Sequence, residues 1–210
     1  MPDNVLAQIP FEAFLMEEAA PSANYSSLPY LIRRYSIGYS YSLGLLTQNN
    51  RPVANPAQSG ILGFAPSYTE QKGPIASRSA RHRALRETIG DLPAAQEELK
   101  TLEKQFDGSF LYKDKASESA FKTLAPQYPI LHLAMHGTVN EHVPLLSSLI
   151  FAESKEKEED NFLEAHEISH LELQAELIVL SACETGYGTF KQGEGIFSLA
   201  RSFMLSLIHI

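Results

Sequence analysis

Two apolar segments of strand length constrain the fold of this chain more than any other feature of its sequence. Residues 128–136 read YPILHLAMH, and residues 175–183 read AELIVLSAC. Strands this apolar are typical of a parallel sheet that is covered by helices on both faces. From Ile61 onward, short apolar runs alternate with amphipathic segments, as they do where parallel strands are joined by helical crossovers. The sequence therefore predicts an α/β domain with a mostly parallel sheet.

The other elements are predicted from the spacing of apolar residues and from the positions of proline and glycine. In the N-terminal part, residues 30–35 (YLIRRY) and the Tyr/Ser segment that follows them are interpreted as a strand that runs into a helix. Further strands are predicted at 61–65 and 110–112 and a helix at 117–124. Two amphipathic helices complete the prediction: one begins at 91–93 with Leu99, Leu102 and Phe106 on one face, and one carries Ile196, Leu199, Ala200 and Phe203 on one face.

The composition is that of one globular domain and disfavours two classes of partner. The chain has 210 residues, of which 44% are hydrophobic and 20% are charged. A chain of this length can bury one substantial core and requires no second domain. The formal net charge is -8, whereas contact with nucleic acid is favoured by clustered lysine and arginine. We therefore expect neither nucleic acid nor a membrane as a partner.

Cysteine usage and the N-terminus bear on the cellular compartment. Cys183 is the only cysteine in the sequence, which excludes a disulfide within the chain. The first residues show neither the basic stretch nor the apolar run of a signal peptide, and no segment approaches the roughly 18 apolar residues of a membrane span. Because disulfides are usual in oxidising compartments, the expected location is the reducing cytoplasm.

His136 and Cys183 are the last residues of the two apolar segments. Reactive groups of open parallel sheets gather beyond the carboxyl ends of the strands, so both side chains are expected at one edge of the sheet. A thiol becomes a useful nucleophile when a nearby imidazole takes its proton. Gly137 follows the histidine directly, and its N–H group is expected to form an oxyanion hole with that of Cys183. The sequence thus predicts His136 and Cys183 as catalytic residues, with the backbone of Gly137 and Cys183 as oxyanion hole.

The motifs around these residues resemble those of a known family. Cys183 follows His136 by 47 positions, near the spacing of about 50 in caspases, whose cysteine lies in a Gln-Ala-Cys motif. Here residues 181–186 read SACETG, which differs at the first position and has one extra residue before the glycine. With HLAMHG at 132–137 and GEG at 193–195, this motif resembles the CHAT family of caspase-like domains, often joined to tetratricopeptide repeats in bacteria. The resemblance runs from Ile9 to Met204.

The resemblance implies a three-layer caspase-like fold with His136 and Cys183 as a catalytic dyad. It also implies a cysteine endopeptidase that acts on protein or peptide substrates without a metal or an organic cofactor. A tetratricopeptide-repeat region, in the same or a partner chain, is a further implied partner. One departure is Met135, where the family usually has threonine; it leaves the dyad intact. The alternative function is a non-catalytic caspase-like interaction module in a larger signalling protein.

The C-terminal end departs further from the family pattern. The family domain continues with at least one more strand and a motif that contains tryptophan, whereas this chain has no tryptophan. Residues 205–210 read LSLIHI, which matches one reading frame of a widely used sequencing adaptor. We therefore expect a domain over residues 1–204 that lacks its last strand or strands, and a non-native tail at 205–210. The substrate pocket of such a fragment is expected to be incomplete.

One histidine motif and one further histidine permit other interpretations. Residues 166–170 read HEISH and match the H-E-x-x-H signature, in which two helical histidines bind zinc and the glutamate acts as general base. Because the segment is short and no motif supplies a third ligand, we interpret it as a short surface helix. His132 lies on the same strand face as His136 by period-two counting, and we interpret it as a hydrogen-bonded structural residue.

Overall fold

A parallel sheet with helices on both faces forms the centre of the protein. The computed structural model describes residues 9–20, 22–39, 56–68, 80–140, 142–153, 159–181, 189–191, 195–197 and 199–207. The strands are β1 (Ile61–Ala65), β2 (Gly108–Tyr112), β3 (Ile130–Leu133), β4 (Gly137–Thr138), β5 (Ser148–Ile150), β6 (Phe162–Glu164), β7 (Leu177–Leu180), β8 (Thr189–Lys191) and β9 (Gly195–Phe197). The helices are α1 (Ala80–Thr88), α2 (Pro93–Glu103), α3 (Glu118–Leu124), α4 (Ala165–Ile168) and α5 (Leu199–Ser206).

The central sheet confirms the predicted parallel arrangement. Its strand order is β2-β1-β3-β7, and each neighbouring pair is parallel. Gly63 of β1 lies opposite His132 of β3, which in turn lies opposite Val179 of β7. The carboxyl ends of the strands therefore lie along one edge of the sheet. A smaller antiparallel sheet of β4, β5 and β6 and a hairpin of β8 and β9 complete the strand pairing.

Helix α2 packs closely on one face of the sheet. Pro93 occupies its first turn, where a missing N–H costs no helical hydrogen bond. Leu99 of α2 is fully buried, and a Cβ atom on Gly63 would lie 2.5 Å from Leu99 Cδ1 and 2.9 Å from Phe110 Cδ1. The missing side chain at Gly63 thus allows the helix to approach β1.

An aromatic cluster covers the opposite face. Phe64 follows Gly63 in β1, so its side chain points to the other side of the sheet. Its ring lies 5.6 Å from that of Phe121 in α3 and 5.8 Å from that of Phe151, measured between ring centroids. Phe121 also contacts Phe203 of α5 at 6.4 Å. Helices on both faces of a parallel sheet confirm the predicted three-layer α/β architecture.

The first long apolar segment forms a shorter strand than predicted. β3 covers only Ile130–Leu133, so His136 lies beyond the strand and not on its face with His132. The reason is that the chain leaves the central sheet after Ala134, whose N–H still donates to the carbonyl oxygen of Phe64 at 2.9 Å. It then pairs with β5, where the carbonyl oxygen of His136 accepts a hydrogen bond from Ile150 N at 2.9 Å. The second segment forms β7 over Leu177–Leu180, and its last two positions, 182 and 183, lie outside the described residues.

Three further predictions of elements are wrong in their bounds or type. Helix α2 ends at Glu103, which leaves Phe106 after the helix with 52% of its surface exposed. Ile196 belongs to β9 because its backbone pairs with β8, and α5 begins only at Leu199. The segment 30–35 contains a 3₁₀ helix at Leu31–Arg33 preceded by a single bridge between Leu15 and Tyr30, because the chain pairs locally there.

Helix α5 runs as far as Ser206, whose carbonyl oxygen accepts a hydrogen bond from Leu173 N at 3.3 Å. The predicted domain boundary at 204, the missing strands and the non-native origin of residues 205–210 remain predictions. Within the part of the chain that the structure describes, no helix has the length and hydropathy needed to cross a bilayer.

Candidate active site

The backbone of His136 is held on both sides at the carboxyl edge of the sheet. Its N–H donates to the phenol oxygen of Tyr68 at 3.0 Å, and its carbonyl oxygen accepts from Ile150 N at 2.9 Å. The same phenol donates to the carbonyl oxygen of Ile150 at 2.9 Å. Tyr68 also packs its ring against the imidazole, with 4.9 Å between the ring centroids. These contacts leave the imidazole little freedom to move away from the strand ends.

The carbonyl of Gly90 orients the imidazole of His136. His136 Nε2 lies 2.8 Å from the carbonyl oxygen of Gly90. A carbonyl oxygen only accepts hydrogen bonds, so Nε2 must carry a proton. In the neutral ring, Nδ1 then has the free lone pair. The contact with Gly90 therefore prepares Nδ1 of His136 to accept a proton.

Asp91 connects the segments that carry Tyr68 and Gly90. One oxygen of its carboxylate, Oδ1, accepts hydrogen bonds from Tyr68 N at 2.6 Å and from Ser67 Oγ at 2.9 Å. Burial raises the pKa of the Tyr68 phenol well above its usual value of 10.0, so the phenol keeps the proton that it donates. The loop after β1 and the loop before α2 thus hold His136 together.

Gly137 directs its N–H group away from the neighbouring strand. It lies opposite Leu149 in the antiparallel pair of β4 and β5. The flanking hydrogen bond from Ile150 N to the carbonyl oxygen of His136 makes this a pair without mutual hydrogen bonds. The N–H of Gly137 therefore points away from β5, next to the catalytic candidate His136.

Cys183 lies outside the described residues, and Ser181 is the last described residue before it. The N–H of Ser181 donates to the carbonyl oxygen of Leu133 at 3.0 Å, so Ser181 is aligned with the end of β3. Its hydroxyl donates to Glu98 Oε2 at 2.8 Å, and His132 Nε2 lies 2.8 Å from Glu98 Oε1. The predicted hydrogen bonding of His132 is confirmed, and its structural role stays a prediction.

The sequence matches one known family over nearly its whole length. The family model of the CHAT domain matches residues 1–206. The chain belongs to the CHAT family. A search of curated proteins gave no significant match. The family is caspase-like, and the parallel sheet with β3 and β7 as neighbours agrees with that fold.

Three residues of this CHAT domain that contact the site or its strands were not predicted from the sequence: Tyr68, Gly90 and Glu98. Tyr68 follows β1 just as His136 follows β3, so its position after a parallel strand was an available indication. Gly90 acts through its carbonyl oxygen, for which the residue type carries no indication. Glu98 precedes the buried Leu99 on an amphipathic helix, where a glutamate is usually a solvated surface residue.

The H-E-x-x-H segment of the CHAT domain is a capped helix of one turn. Helix α4 has four residues, and the carboxylate of Glu167 accepts a hydrogen bond from Glu164 N at 2.9 Å. His170 directs Nδ1 to the carbonyl oxygen of His166 at 2.6 Å. Of the described residues, Glu164, His166 and Glu167 bring ligand atoms within 4.8 Å of one another, and His170 is not part of this group. The segment matches the predicted short surface helix, and Glu167 is used as a helix cap.

A second carboxylate cluster surrounds a lysine. Lys122 Nζ lies 2.8 Å from Glu118, 2.7 Å from Glu159 and 3.1 Å from Glu167, measured to the nearest carboxylate oxygen. Burial raises the pKa of Glu118 to about 8, against the opposing effect of Lys122. The ammonium group lies between the three carboxyl groups, so this cluster joins α3, α4 and the segment at residue 159.

Proposed function

We propose that this CHAT domain is a cysteine endopeptidase in which Cys183 attacks the substrate and His136 exchanges the proton. The observation that supports the proposal most is the hydrogen bond between His136 Nε2 and the carbonyl oxygen of Gly90. It assigns the proton to Nε2 and leaves the lone pair on Nδ1, as a general base requires. Membership of a caspase-like family supports the same chemistry.

The proposed reaction has two steps. In the first, the Cys183 thiol gives its proton to His136 Nδ1, and the sulfur attacks the carbonyl carbon of the scissile bond. The resulting oxyanion accepts hydrogen bonds from the N–H groups of Gly137 and Cys183. The C–N bond then breaks, His136 returns the proton to the leaving amine, and an acyl-thioester remains. In the second step, His136 takes a proton from water, and the resulting hydroxide attacks the carbonyl carbon of the acyl-thioester. The C–S bond then breaks, the carboxylic acid leaves, and His136 returns the proton to the thiolate of Cys183.

The substrates of this chemistry are proteins or peptides. No step in the mechanism uses a metal or an organic cofactor. A tetratricopeptide-repeat region of the same or a partner chain is a further proposed partner. The alternative proposal is a non-catalytic interaction module, for which the dyad would be dispensable.

The test uses the full chain and a mixed peptide library. We expect Cys183→Ala to abolish cleavage, a loss of roughly 10³-fold or more, because the acyl-thioester cannot form. His136→Ala is expected to lower kcat by about 10²- to 10⁴-fold, the usual contribution of a general base. His142→Ala serves as the matched control, because His142 is exposed and lies after the site, and it should leave kcat unchanged.

The other outcomes separate the alternatives. Cleavage that continues at the original rate in Cys183→Ala would exclude the proposed mechanism. Cleavage that stops only on addition of a chelator would favour a metallopeptidase that uses the H-E-x-x-H segment. A folded protein that binds peptides or repeat domains but shows no cleavage dependent on Cys183 would favour the interaction module.

A further inference from the structure

The carboxylate of Glu98 joins the two strands, β3 and β7, that precede His136 and Cys183 in the sequence. Its oxygen Oε1 lies 2.8 Å from Nε2 of His132 in β3, and its oxygen Oε2 accepts a hydrogen bond from Ser181 Oγ at 2.8 Å. Ser181 directly follows β7 and precedes Cys183 by two positions. One side chain of α2 therefore bonds to β3 and to the end of β7.

Three features of the sheet make this contact possible. His132 lies opposite Gly63 and opposite Val179, so the three residues share one face of the sheet. Side chains two positions apart on a strand point to the same face, which places Ser181 with Val179. Because Gly63 lets Leu99 pack closely on this face, the neighbouring residue of α2 reaches the polar side chains of both strands.

The hydrogen bonds of Ser181 are those of a structural contact and not those of a second nucleophile. In a serine nucleophile the hydroxyl donates to an imidazole, and the imidazole donates to a carboxylate. Here the hydroxyl of Ser181 donates to the carboxylate of Glu98, which also contacts the ring of His132. His132 is 10% exposed, so this contact satisfies a buried polar ring.

The same helix is connected to the other half of the site. Gly90, whose carbonyl oxygen orients His136, and Asp91, which holds Tyr68, immediately precede α2. The segment before α2 therefore contacts the histidine and the tyrosine beside it, and the middle of α2 contacts the strand that leads to the cysteine.

We propose that Glu98 is a positioning residue of the peptidase, which fixes the end of β7 relative to His136. The proposal rests on the proposed function of Cys183 and His136. Glu98 touches neither substrate nor the reacting atoms. Loss of its carboxylate releases Ser181, so the end of β7, two positions before Cys183, is no longer held relative to His136.

The test compares Glu98→Ala, Glu98→Gln and Ser181→Ala in the full chain. Glu98→Ala is expected to lower kcat for peptide cleavage by about 10- to 100-fold, with KM changed by less than about threefold, because a displacement of about 1 Å costs rate. Glu98→Gln is expected to stay within about threefold of the original kcat, since an amide can accept from His132 and donate to Ser181. Ser181→Ala, which removes one bond, should give an intermediate loss.

A second measurement does not depend on cleavage. Cys183 is the only thiol, so the rate of alkylation by iodoacetamide against pH reports its ionisation alone. In Glu98→Ala, the midpoint of this profile should move toward the value of about 8.5 of a free cysteine, because the thiolate loses its imidazole partner. Glu97→Ala is the matched control: this neighbour on α2 is 73% exposed and pairs only locally with Lys100, so its profile should remain that of the original chain.

The outcomes distinguish the two proposals. If Glu98→Ala is folded and retains both the original kcat and the original alkylation profile, Glu98 has no positioning role, whatever Cys183 does. If the original chain cleaves no peptide but Glu98→Ala still shifts the alkylation profile, the peptidase proposal fails and the positioning role stands. If Glu98→Ala does not fold, the same two measurements on Ser181→Ala decide, and an unchanged profile there overturns the inference.

Discussion

At the scale of single residues, the phenol of Tyr68 links the backbone of His136 to that of Ile150 by two hydrogen bonds. It accepts from His136 N and donates to the carbonyl oxygen of Ile150. Tyr68→Phe keeps the ring contact with the imidazole but leaves the partly buried N–H of His136 and the buried carbonyl of Ile150 without this partner. We expect the free energy of unfolding to fall by about 1–3 kcal/mol and kcat for peptide cleavage to fall with it. Urea denaturation and steady-state kinetics measure the two effects.

The matched control for this change is Tyr112→Phe. The Tyr112 phenol donates to Glu103 at the protein surface, where water replaces a lost partner. Its removal should change the free energy of unfolding by less than about 0.5 kcal/mol. Equal losses in the two variants would show that the hydrogen bonds of Tyr68 do not stabilise the site.

Glu118 gives the protein a pH dependence of stability. Burial raises its pKa to about 8, above the ordinary value of 4.5. The folded protein thus binds this proton more tightly than the unfolded chain. The contribution of the group to stability is complete below about pH 4.5 and is lost as the pH rises through about 8, by at most roughly 1.4 kcal/mol per pH unit. Glu118→Gln should remove this decrease in the free energy of unfolding with rising pH.

Urea denaturation of both proteins between about pH 5 and about pH 8 measures this decrease. Glu97→Gln is the control, because Glu97 is exposed and its pairing with Lys100 lowers its pKa, so it stays ionised over this range. If the original chain and Glu118→Gln lose stability in parallel as the pH rises, the carboxyl group of Glu118 is ionised throughout and the prediction is wrong.

At the scale of elements, Gly63 sets the distance between α2 and the sheet. In Gly63→Ala, the new Cβ would overlap Leu99 Cδ1 and Phe110 Cδ1. We expect a loss of about 1–3 kcal/mol in the free energy of unfolding, as for other overpacked cores. The double variant Gly63→Ala, Leu99→Ala should lose less than the sum of the two single losses, because the shorter side chain accepts the added methyl group.

Gly38→Ala is the control for the effect of a methyl group on a glycine. The position has open space around it, and the variant should stay within about 0.5 kcal/mol of the original chain. Strict additivity of the Gly63 and Leu99 losses would contradict close packing between α2 and β1.

The elements also show which parts of the fold local sequence patterns can predict. Strand 61–65 and the helix after Ser117 were predicted at their true places, because Pro66 ends the one and the Ser117 hydroxyl caps the other. The prediction of strand 128–136 was too long, because apolar composition does not show where a chain leaves one sheet for another. Ile196 was misplaced for a related reason. Its apolar spacing with the residues after it fits a helix face, but that spacing does not show that its backbone pairs with Phe190 of β8.

At the scale of the whole molecule, the polar contacts of Glu98 and the aromatic cluster lie on opposite faces of the central sheet. Parallel strands covered on both sides were predictable because their composition is nearly all apolar, and the edge that carries His136 follows from strand direction. The contacts of Glu98 with His132 and of Gly90 with His136 were not predictable, because they join residues that are 34 and 46 positions apart in the sequence. Such contacts depend on the packing of α2, which Gly63 permits.

This arrangement of the two faces predicts that stability and thiol reactivity respond to different substitutions. Phe121 is fully buried in the aromatic cluster on the face away from α2, so Phe121→Ala should cost about 3–5 kcal/mol in the free energy of unfolding. The pH profile of Cys183 alkylation in Phe121→Ala, measured under conditions in which the variant is folded, should match that of the original chain. Glu98→Ala should show the reverse, with a shifted profile and a smaller loss of stability.

Phe106→Ala is the control for the loss of a phenylalanine, because 52% of that side chain is exposed, and it should alter neither quantity. An alkylation profile in Phe121→Ala that shifts as far as that in Glu98→Ala would mean that the aromatic face also aligns the end of β7. The role of α2 would then be shared by the whole core, since a close-packed sheet transmits a displacement from one face to the other. An unshifted profile would assign the alignment of Cys183 to the polar contacts of α2, with the aromatic cluster supplying stability alone.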